Sequence, residues 1–292
     1  MLKDKQDDRE FEFTSSDFSR IRKLIYEHAG ISLSDAKSDM VYSRIGRRLR
    51  AVGHNSFKRY LDQLEAVNDA DEWEAFTNAL TTNLTSFFRE EHHFPILAEH
   101  LLQLKKPIRI WCSAASTGEE PYSIAMTACE AFGTMQPPVE IIATDIDTNV
   151  LATAAGGVYP YERVSKLSDE RRKQFFQKGS GAHVGSVRVR QELRKLISFE
   201  QLNLLDAQWT VKEPVDVIFC RNVMIYFDKP TQAKILSHFV PLMKPHALLF
   251  AGHSENFLYV SNAFHLRGKT VYELNKTPEA KRSLGQPKMS PR

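Results

Sequence analysis

The 292-residue sequence has no long hydrophobic run, few cysteines and little net charge. No apolar stretch approaches the roughly 20 residues that span a bilayer, and the N-terminal residues MLKDKQDDREFEF are too acidic and polar for a signal peptide. The three cysteines, Cys112, Cys129 and Cys220, show no Cys-x-x-Cys or Cys/His spacing. We therefore expect a cytoplasmic protein with buried, reduced thiols, no membrane insertion and no metal site.

The net charge of +3 conceals a local basic segment. Residues 37–59 contain seven basic residues and one acidic residue, whereas the segments on either side are acidic. The predicted helix in this segment has an apolar stripe formed by Val41, Ile45, Leu49 and Val52. Four arginines fall mostly away from that stripe: Arg44, Arg47, Arg48 and Arg50. This pattern predicts a docking surface for a partner, and a solvated helix face is the alternative.

Hydrophobic periodicity divides the chain into regions. Residues 1–13 and 276–292 are expected to be disordered, and residues 14–86 predict an all-helical domain that opens on a Ser/Thr cap. Residues 87–106 predict a linker and a helix near the functional site. Residues 107–275 alternate strands and helices, with strands at 108–112, 139–144, 196–201, 215–220 and 247–251 and a final hairpin. This alternation predicts an open parallel sheet, with a small antiparallel insertion at about 156–195.

The stretch IRIWCSAASTGEEPYSIAM, residues 108–126, predicts a strand, a loop and a helix. It has one glycine, Gly118, where a dinucleotide fingerprint has three, and no Gly-Lys-Ser/Thr follows as in a P-loop. Glu119 and Glu120 open the helix, where they favour the helix dipole but would repel a pyrophosphate. The loop therefore favours S-adenosylmethionine, which has cationic groups and no phosphate. For either glutamate alone, a helix-opening charge without a ligand is the alternative.

Polar residues follow three further strands at the same sheet edge. Asp145 ends the second strand and is expected to accept the ribose hydroxyls of a nucleoside. Asn203 follows the third strand, and Arg221 and Asn222 follow the fourth. They are candidates to bind an adenine edge or a ligand carboxylate, with loop capping as the alternative.

Two short motifs resemble a metal site and a hydrolase motif, but neither has the arrangement that such a site requires. His92 and His93 are adjacent, so we expect them to point to different sides of a helix and not to chelate a metal. Ser254 and Glu255 lie beside a histidine in GHSEN, but no Gly-x-Ser-x-Gly elbow exists. We interpret them as structural or as part of a substrate-side loop.

Longer blocks of the sequence resemble the chemotaxis receptor methyltransferases of the CheR type. The blocks are TTNLTSFFREEHHFPIL, AASTGEEPYSIA, TDIDTNVL, VRVRQEL, IFCRNVMIYFD and LLFAGHSENF, and the resemblance covers residues 14–275 approximately. It implies an α/β fold: a Rossmann-like class I S-adenosylmethionine-dependent methyltransferase sheet, an N-terminal all-helical domain and a β-subdomain insertion. It also implies a protein-glutamate O-methyltransferase that acts on cytoplasmic domains of chemoreceptors in sensory adaptation, with S-adenosylhomocysteine as product.

The resemblance implies site residues as well. Cofactor-binding positions are Asn83, Thr85, Arg89, Glu119, Asp145, Asn203, Leu204, Arg221 and Asn222. Glu119 matches the acid at the cofactor's amino-acid end, and Asp145 matches the ribose acid. Tyr226 matches a tyrosine near the methyl group. Arg89 and Tyr226 are therefore the candidate catalytic residues that hold the substrate carboxylate and line the methyl site. For Tyr226, an aromatic wall is the alternative.

The family's inserted β-subdomain grips an aromatic-rich pentapeptide at the C-terminus of some receptors. Its Gly-x-Gly corresponds to Gly179-Ser180-Gly181, and Arg188 lies in the matching VRVRQEL block. Lys178 stands where the resemblance predicts arginine, so the charge is kept but the bidentate fork is lost. We expect these residues to bind the receptor tether.

A glutamate carboxylate, with a solution pKa of about 4.3, is ionised at neutral pH and needs no general base. Its attack on a sulfonium methyl gains from alignment and from loss of water. One alternative is an adaptor that binds S-adenosylmethionine without turnover. A nucleic-acid methyltransferase is opposed by the absence of a Pro-Pro-aromatic turn, and a dehydrogenase by the missing glycines. A monomer without a nucleic-acid partner is expected.

Overall fold

The computed structural model describes residues 9–275, which form a helical domain followed by an α/β domain. The helical domain contains α1 (Ser15–Ala29), α2 (Ser38–Val52), α3 (Phe57–Val67) and α4 (Ala70–Leu80). At the start of α1 the Thr14 side chain accepts from Asp17 N and the Asp17 side chain accepts from Thr14 N, which forms a capping box. The helix ends at Gly30, which has a φ of 68°. The predicted Ser/Thr cap is confirmed.

The core of the helical domain begins before α1. Phe11 and Phe13 are buried, and their rings lie 6.3 Å and 4.6 Å from that of Phe57. Within residues 9–13, predicted to be disordered, Phe11 and Phe13 therefore join the core of the helical domain, whereas Glu10 and Glu12 are exposed. The other residues predicted to be disordered, 1–8 and 276–292, lie outside the described residues. Val52, expected on the apolar stripe of α2, is 37% exposed in the helix's last turn.

The rest of the chain begins with α5 (His93–Gln103) and then alternates strands and helices. In chain order they are β1 (Ile108–Cys112), α6 (Glu119–Phe132), β2 (Val139–Asp145), α7 (Thr148–Gly156), β3 (Val158–Pro160), α8 (Asp169–Phe175), β4 (Phe176–Lys178), β5 (Ser186–Val189), α9 (Gln191–Arg194), β6 (Ile197–Gln201), β7 (Val215–Cys220), α10 (Lys229–Phe239), β8 (Met243–Ala251), β9 (Phe264–Gly268) and β10 (Val271–Leu274). The five predicted strands correspond to β1, β2, β6, β7 and β8, and the final hairpin to β9 and β10. No helix in residues 9–275 is long and apolar enough to cross a membrane.

Seven strands form the main sheet in the order β6-β2-β1-β7-β8-β10-β9. The first five are parallel, and β10 and β9 are antiparallel to their neighbours. The chain runs outward from β1 to β2 and β6 and then returns to β7, so the strand order reverses between β1 and β7. Cys112 is opposite Phe219, which brings the carboxyl ends of these two strands level. A ligand site is expected at such a reversal.

Both faces of the central strands are buried. Ile110 and Cys112 pack on the side of α5 and α6, whereas Trp111 packs on the other side against Phe239 of α10. The indole Nε1 of Trp111 donates to Thr144 Oγ1 at 3.0 Å, so the buried polar group has a partner. Two covered faces explain why these strands are continuous apolar runs.

The strands β3, β5 and β4 form a separate antiparallel sheet in that order. We call residues 156–195, which contain this sheet and α8, the β-subdomain. The predicted antiparallel insertion is confirmed, and α8 is an addition that the sequence pattern did not indicate. β3 and β4 are the two edges of the small sheet.

The loop after α1 joins the two domains. Ser32 N donates to Tyr226 O at 2.8 Å, and Asn203 Nδ2 donates to His28 O at 2.9 Å. Tyr226 and Asn203 follow β7 and β6, so the helical domain is fixed over the carboxyl edge of the main sheet.

Two helix-ending glycines allow this contact to be tested. Gly30 and Gly53 have φ values of 68° and 76°, but an added Cβ would lie 2.7 Å from Leu205 Cδ1 at Gly30 and near no atom within 4 Å at Gly53. Gly53→Ala should lower the free energy of unfolding by about 1 kcal/mol, because only the left-handed backbone is penalised. Gly30→Ala should cost clearly more, as measured by urea denaturation. Equal losses would contradict a tight contact between the domains at Leu205.

Candidate functional site

A cleft lies where the strand order reverses, between the helical domain and the carboxyl edge of the main sheet. It contains about 930 Å³ of empty space, including its mouth. Predicted site residues line most of it: Asn83, Thr85, Arg89, Asp145, Asn203, Leu204, Arg221, Asn222 and Tyr226. Residues from both domains are therefore brought together around one space.

Glu119 is the predicted cofactor residue that does not line the cleft. Its side chain is fully buried behind the first turn of α6, where Arg163 Nε donates to Oε1 at 3.0 Å and Thr117 Oγ1 donates to Oε2 at 2.6 Å. Glu120 lines the cleft instead. Successive helical residues are rotated by about 100°, so the two carboxylates face different surroundings. The structure thus replaces Glu119 with Glu120 among the cleft residues.

Arg221 is the centre of a charged cluster at the cleft wall. It is 4% exposed, and its Nη1 donates to Glu120 Oε2 at 2.7 Å. Its Nη2 donates to the carbonyl oxygen of Arg89 and lies 3.4 Å from Glu90 Oε2. Burial raises the pKa of Glu120, and the positive charge of Arg221 opposes that rise. The cluster ties the start of α6 and segment 83–90 to the end of β7.

Asp145 is nearly buried at the end of β2, yet it lines the cleft. Its Oδ2 accepts from Ser116 N at 2.8 Å and its Oδ1 accepts from Asp147 N at 3.0 Å. Burial raises the pKa of Asp145 to about 6, although these bonds lower it. A carboxylate has about four lone-pair sites, so two remain for hydroxyl donors of a ligand.

Asn83 holds the segment that closes one side of the cleft. Its Nδ2 donates to Asp147 Oδ2 at 2.8 Å, and its carbonyl accepts from Ser116 Oγ at 3.1 Å. Asp147 also caps α7 by accepting from Asn149 N at 3.0 Å. The Asn83 side chain is therefore engaged with protein, and it positions the segment that carries Thr85 and Arg89.

Left-handed backbone conformations cluster around the cleft. Four non-glycine residues in this region have φ between 48° and 58°: Phe88, Glu90, Ser116 and Asn222. Each such residue costs of order 1–3 kcal/mol and persists only where its surroundings fix it. Phe88 N donates to Ser123 Oγ at 2.9 Å, and Asn222 N donates to Glu255 Oε2 at 3.0 Å. These bonds hold the strained backbone around Arg89 and Asn222 in place beside the cleft.

Glu255 supports the site more directly than the sequence indicated. It is 5% exposed and accepts from Asn222 N at 3.0 Å and from Met224 N at 2.8 Å. Those bonds hold the loop after β7, which carries Arg221 and Tyr226. The signal in the sequence was an acid in GHSEN, the segment that follows the buried strand β8.

Glu90, His92 and His93 come closer together than expected, with ligand atoms within 4.8 Å of one another. The prediction that the two histidines diverge is wrong because His92 precedes α5 instead of lying within it. Burial lowers the pKa of His93 to about 4, so this imidazole is neutral at neutral pH. Arg221 Nη2 lies 3.4 Å from the Glu90 carboxylate, and its charge opposes a bound cation.

The basic surface of α2 is largely paired within the protein. Three arginines have partners: Arg44 donates to Thr81 O, Arg48 pairs with Glu72 and Arg50 pairs with Glu10. Arg47 is exposed and has no side-chain hydrogen bond or ion pair among residues 9–275. Arg44, Arg47 and Arg48 nevertheless border a groove with Thr81 and Asn83, which also line the cleft. The groove therefore leads from α2 to the cleft.

The predicted tether residues lie together on the β-subdomain. Lys178 ends the edge strand β4, Gly179 and Gly181 follow it, and Arg188 is exposed on the neighbouring β5. A Cβ added at Gly179 would overlap the carbonyl oxygen of His183, so the turn requires glycine there.

Comparisons with known proteins agree with this arrangement. Residues 16–81 match the family profile "CheR methyltransferase, all-alpha domain", and residues 83–272 match "CheR methyltransferase, SAM binding domain". The chemotaxis protein methyltransferase of Salmonella typhimurium is 56% identical over 259 residues, which cover 89% of this chain and 90% of that protein. That of Escherichia coli is 54% identical over 259 residues, 89% of this chain and 91% of its own length. Chemotaxis protein methyltransferase 2 of Pseudomonas aeruginosa is 51% identical over 267 residues, 90% of this chain and 95% of its own length.

Asp145 should make cofactor binding depend on pH. Its pKa in the free protein is about 6, and ribose hydroxyl donors favour the charged form, so binding should lower that pKa. Affinity for S-adenosylhomocysteine should therefore fall by about tenfold from pH 7 to pH 5. Isothermal titration calorimetry measures this dependence. Asp145→Asn should bind more weakly at pH 7 and lose the dependence, whereas a flat wild-type profile would remove the ribose assignment.

Proposed function

Because the chain belongs to the CheR methyltransferase family, we propose that it transfers the methyl group of S-adenosylmethionine to glutamate side chains of chemoreceptors. S-adenosylmethionine-dependent methylation of chemoreceptors in chemotaxis adaptation follows from the family. The glutamate acceptor and the methyl ester are the finer part of the proposal. The observation that best supports the proposal is the cleft at the strand reversal, together with the arginine-bordered groove that leads into it.

The cleft residues suit a nucleoside with a charged amino-acid tail. Asp145 has lone pairs left for the two ribose hydroxyls, and Glu120 offers a carboxylate near the end of β1 for an ammonium group. Asn203 holds the loop after β6, because its Nδ2 donates to His28 O at 2.9 Å and its Oδ1 accepts from Leu205 N at 3.0 Å. Leu204 in that loop provides an apolar wall for an adenine ring. No phosphate-binding glycine loop competes with this arrangement. Bound S-adenosylmethionine supplies a methyl group on a cationic sulfur, which a carboxylate can attack.

Arg89 and Tyr226 are placed to align the acceptor. Arg89 Nη1 donates to Leu84 O at 2.9 Å, which leaves its other N–H groups for a substrate carboxylate at the cleft. The backbone of Tyr226 is fixed by Ser32 N at 2.8 Å, and Tyr226 lines the cleft. The glutamate carboxylate arrives ionised, so these residues orient it and exclude water without removing a proton.

The groove beside α2 is the proposed docking surface for the receptor helices. Among residues 9–275, Arg47 is the arginine of this groove without an ion-pair partner. Arg44 and Arg48 also border the groove, but they bond to Thr81 and Glu72 of the helical domain. We further propose that a C-terminal receptor pentapeptide pairs with the exposed edge of β4, with Lys178 and Arg188 nearby. The enzyme is proposed to act as a monomer in the cytoplasm.

Methyl transfer should be observed directly with labelled S-adenosylmethionine and membranes that contain chemoreceptors. Label should appear on the receptors and be released by alkali as methanol, because a glutamate methyl ester is base-labile. Asp145→Ala should abolish both cofactor binding and transfer. Alkali-stable label would contradict the ester, and cofactor binding without any transfer would favour an adaptor.

Docking through the groove should be sensitive to the charge of Arg47. Arg47→Glu should raise the KM for receptor on the order of fivefold at low salt, and added salt should reduce the difference. The KM for S-adenosylmethionine should not change. Lys212→Glu is the matched control, because Lys212 is exposed before β7 at the opposite edge of the sheet. If Arg47→Glu and Lys212→Glu raised the KM for receptor equally, Arg47 would contribute only through the net charge of the protein.

A further inference from the structure

The β-subdomain contacts the loop between β1 and α6 from the side opposite the cleft. Tyr159 of β3 is 2% exposed, and its hydroxyl donates to Thr117 O at 2.6 Å. Arg163 follows β3, and its Nε donates to the fully buried Glu119 at 3.0 Å. Two residues of the β-subdomain thus hold the end of the loop and the first residue of α6.

The contact leaves no room between the loop and the β-subdomain. Gly118 has a φ of 98°, and a Cβ added there would lie 2.7 Å from the Tyr159 hydroxyl and 2.8 Å from Ala154 Cβ. The loop is therefore pressed against β3 and α7. The same loop presents Ser116 to the cleft, and the first turn of α6 presents Glu120.

A second cleft segment rests on the same subdomain. The ring of Phe87 packs edge-on against Tyr159 and Phe176, with centroids 5.2 Å and 5.5 Å apart. The Arg171 guanidinium lies 3.8 Å from the centroid of Phe88. Phe87 and Phe88 directly precede Arg89, so the β-subdomain supports both the cofactor loop and the arginine at the cleft.

The buried carboxylate of Glu119 requires a partner from the β-subdomain. A fully buried carboxylate is tolerated only when it is paired, and its partners are Arg163 from the β-subdomain and the Thr117 hydroxyl. Without Arg163 the buried Glu119 carboxylate would lose its cationic partner, and exposing it to water would displace the first turn of α6. Glu120, the next residue, bonds to Arg221 from that turn.

From these contacts we propose that Tyr159 and Arg163 are positioning residues for methyl transfer. The β-subdomain sets the geometry of the cofactor loop in addition to its proposed role in tethering receptors. This inference rests on the proposed function, because it concerns the same cofactor site. It requires cofactor affinity to depend on the β-subdomain even when the acceptor carries no C-terminal pentapeptide.

The test compares Tyr159→Phe, Arg163→Met and Arg163→Lys in the full chain. Arg172→Met is the control, because Arg172 lies in the β-subdomain and bonds only to Ser165, Leu167 and Asp169 within it. The dissociation constant of S-adenosylhomocysteine is measured by calorimetry. The KM values for S-adenosylmethionine and for a receptor fragment without the pentapeptide are measured separately, as is the Tm.

Arg163→Met should weaken cofactor binding by about tenfold or more, and Arg163→Lys should recover part of the loss. Tyr159→Phe, which removes one hydroxyl, should weaken binding by about three- to tenfold. The KM for the receptor fragment should stay unchanged, and amide exchange over residues 113–120 should accelerate. Arg172→Met should lower only the Tm.

Unchanged cofactor affinity in both Tyr159→Phe and Arg163→Met would overturn the inference. So would a loss in Arg172→Met as large as that in Arg163→Met. If Arg163→Met does not fold, Tyr159→Phe and the exchange of residues 113–120 still decide the question. A wild type that binds cofactor but methylates no receptor would overturn the proposed function alone, because the binding measurements still test the positioning role.

Discussion

The buried guanidinium of Arg221 is the interaction on which the cleft depends. It follows β7, yet it bonds to Glu120 at the start of α6 and to the carbonyl of Arg89 in the segment from the helical domain. A cation at 4% exposure is stable only while its partners remain, because an unpaired buried charge is strongly unfavourable. The three segments can meet only because the strand order places β1 next to β7. Topology and the ion pairs of Arg221 together define where the cleft lies.

The cleft is supported from two sides by parts of the chain outside the main sheet. On the front, Ser32 of the helical domain fixes the backbone of Tyr226 at 2.8 Å. On the back, Tyr159 of the β-subdomain fixes Thr117 at 2.6 Å. Loops at the end of a parallel sheet are otherwise its least constrained parts. The helical domain and the β-subdomain therefore constrain these loops. The same contacts maintain the left-handed backbone at Ser116 and Asn222.

Local patterns in the sequence were sufficient for the strands and for Asp145. Buried strands are continuous apolar runs, and a residue at the carboxyl end of such a run has a predictable position. The choice between Glu119 and Glu120 could not be made locally, because it depends on Arg163, which is 44 residues away. Glu255 was underestimated for the same reason, since its hydrogen bonds to Asn222 and Met224 span 33 and 31 residues. Long-range partners decide which of two similar side chains faces the cleft.

Ion pairs within the helical domain reduce the positive charge that the basic segment offers to a partner. Burial raises the pKa of Glu72, but hydrogen bonds from Arg48 and Tyr60 lower it overall, so this carboxylate stays ionised and neutralises Arg48. Much of the local charge is thus used within the helical domain. The positive charge that remains at the groove is concentrated around Arg47. The electrostatic field of that charge decays over about 8 Å at physiological ionic strength. An acidic partner would therefore be attracted mainly at the groove that leads into the cleft, which favours orientation of the receptor over general attraction.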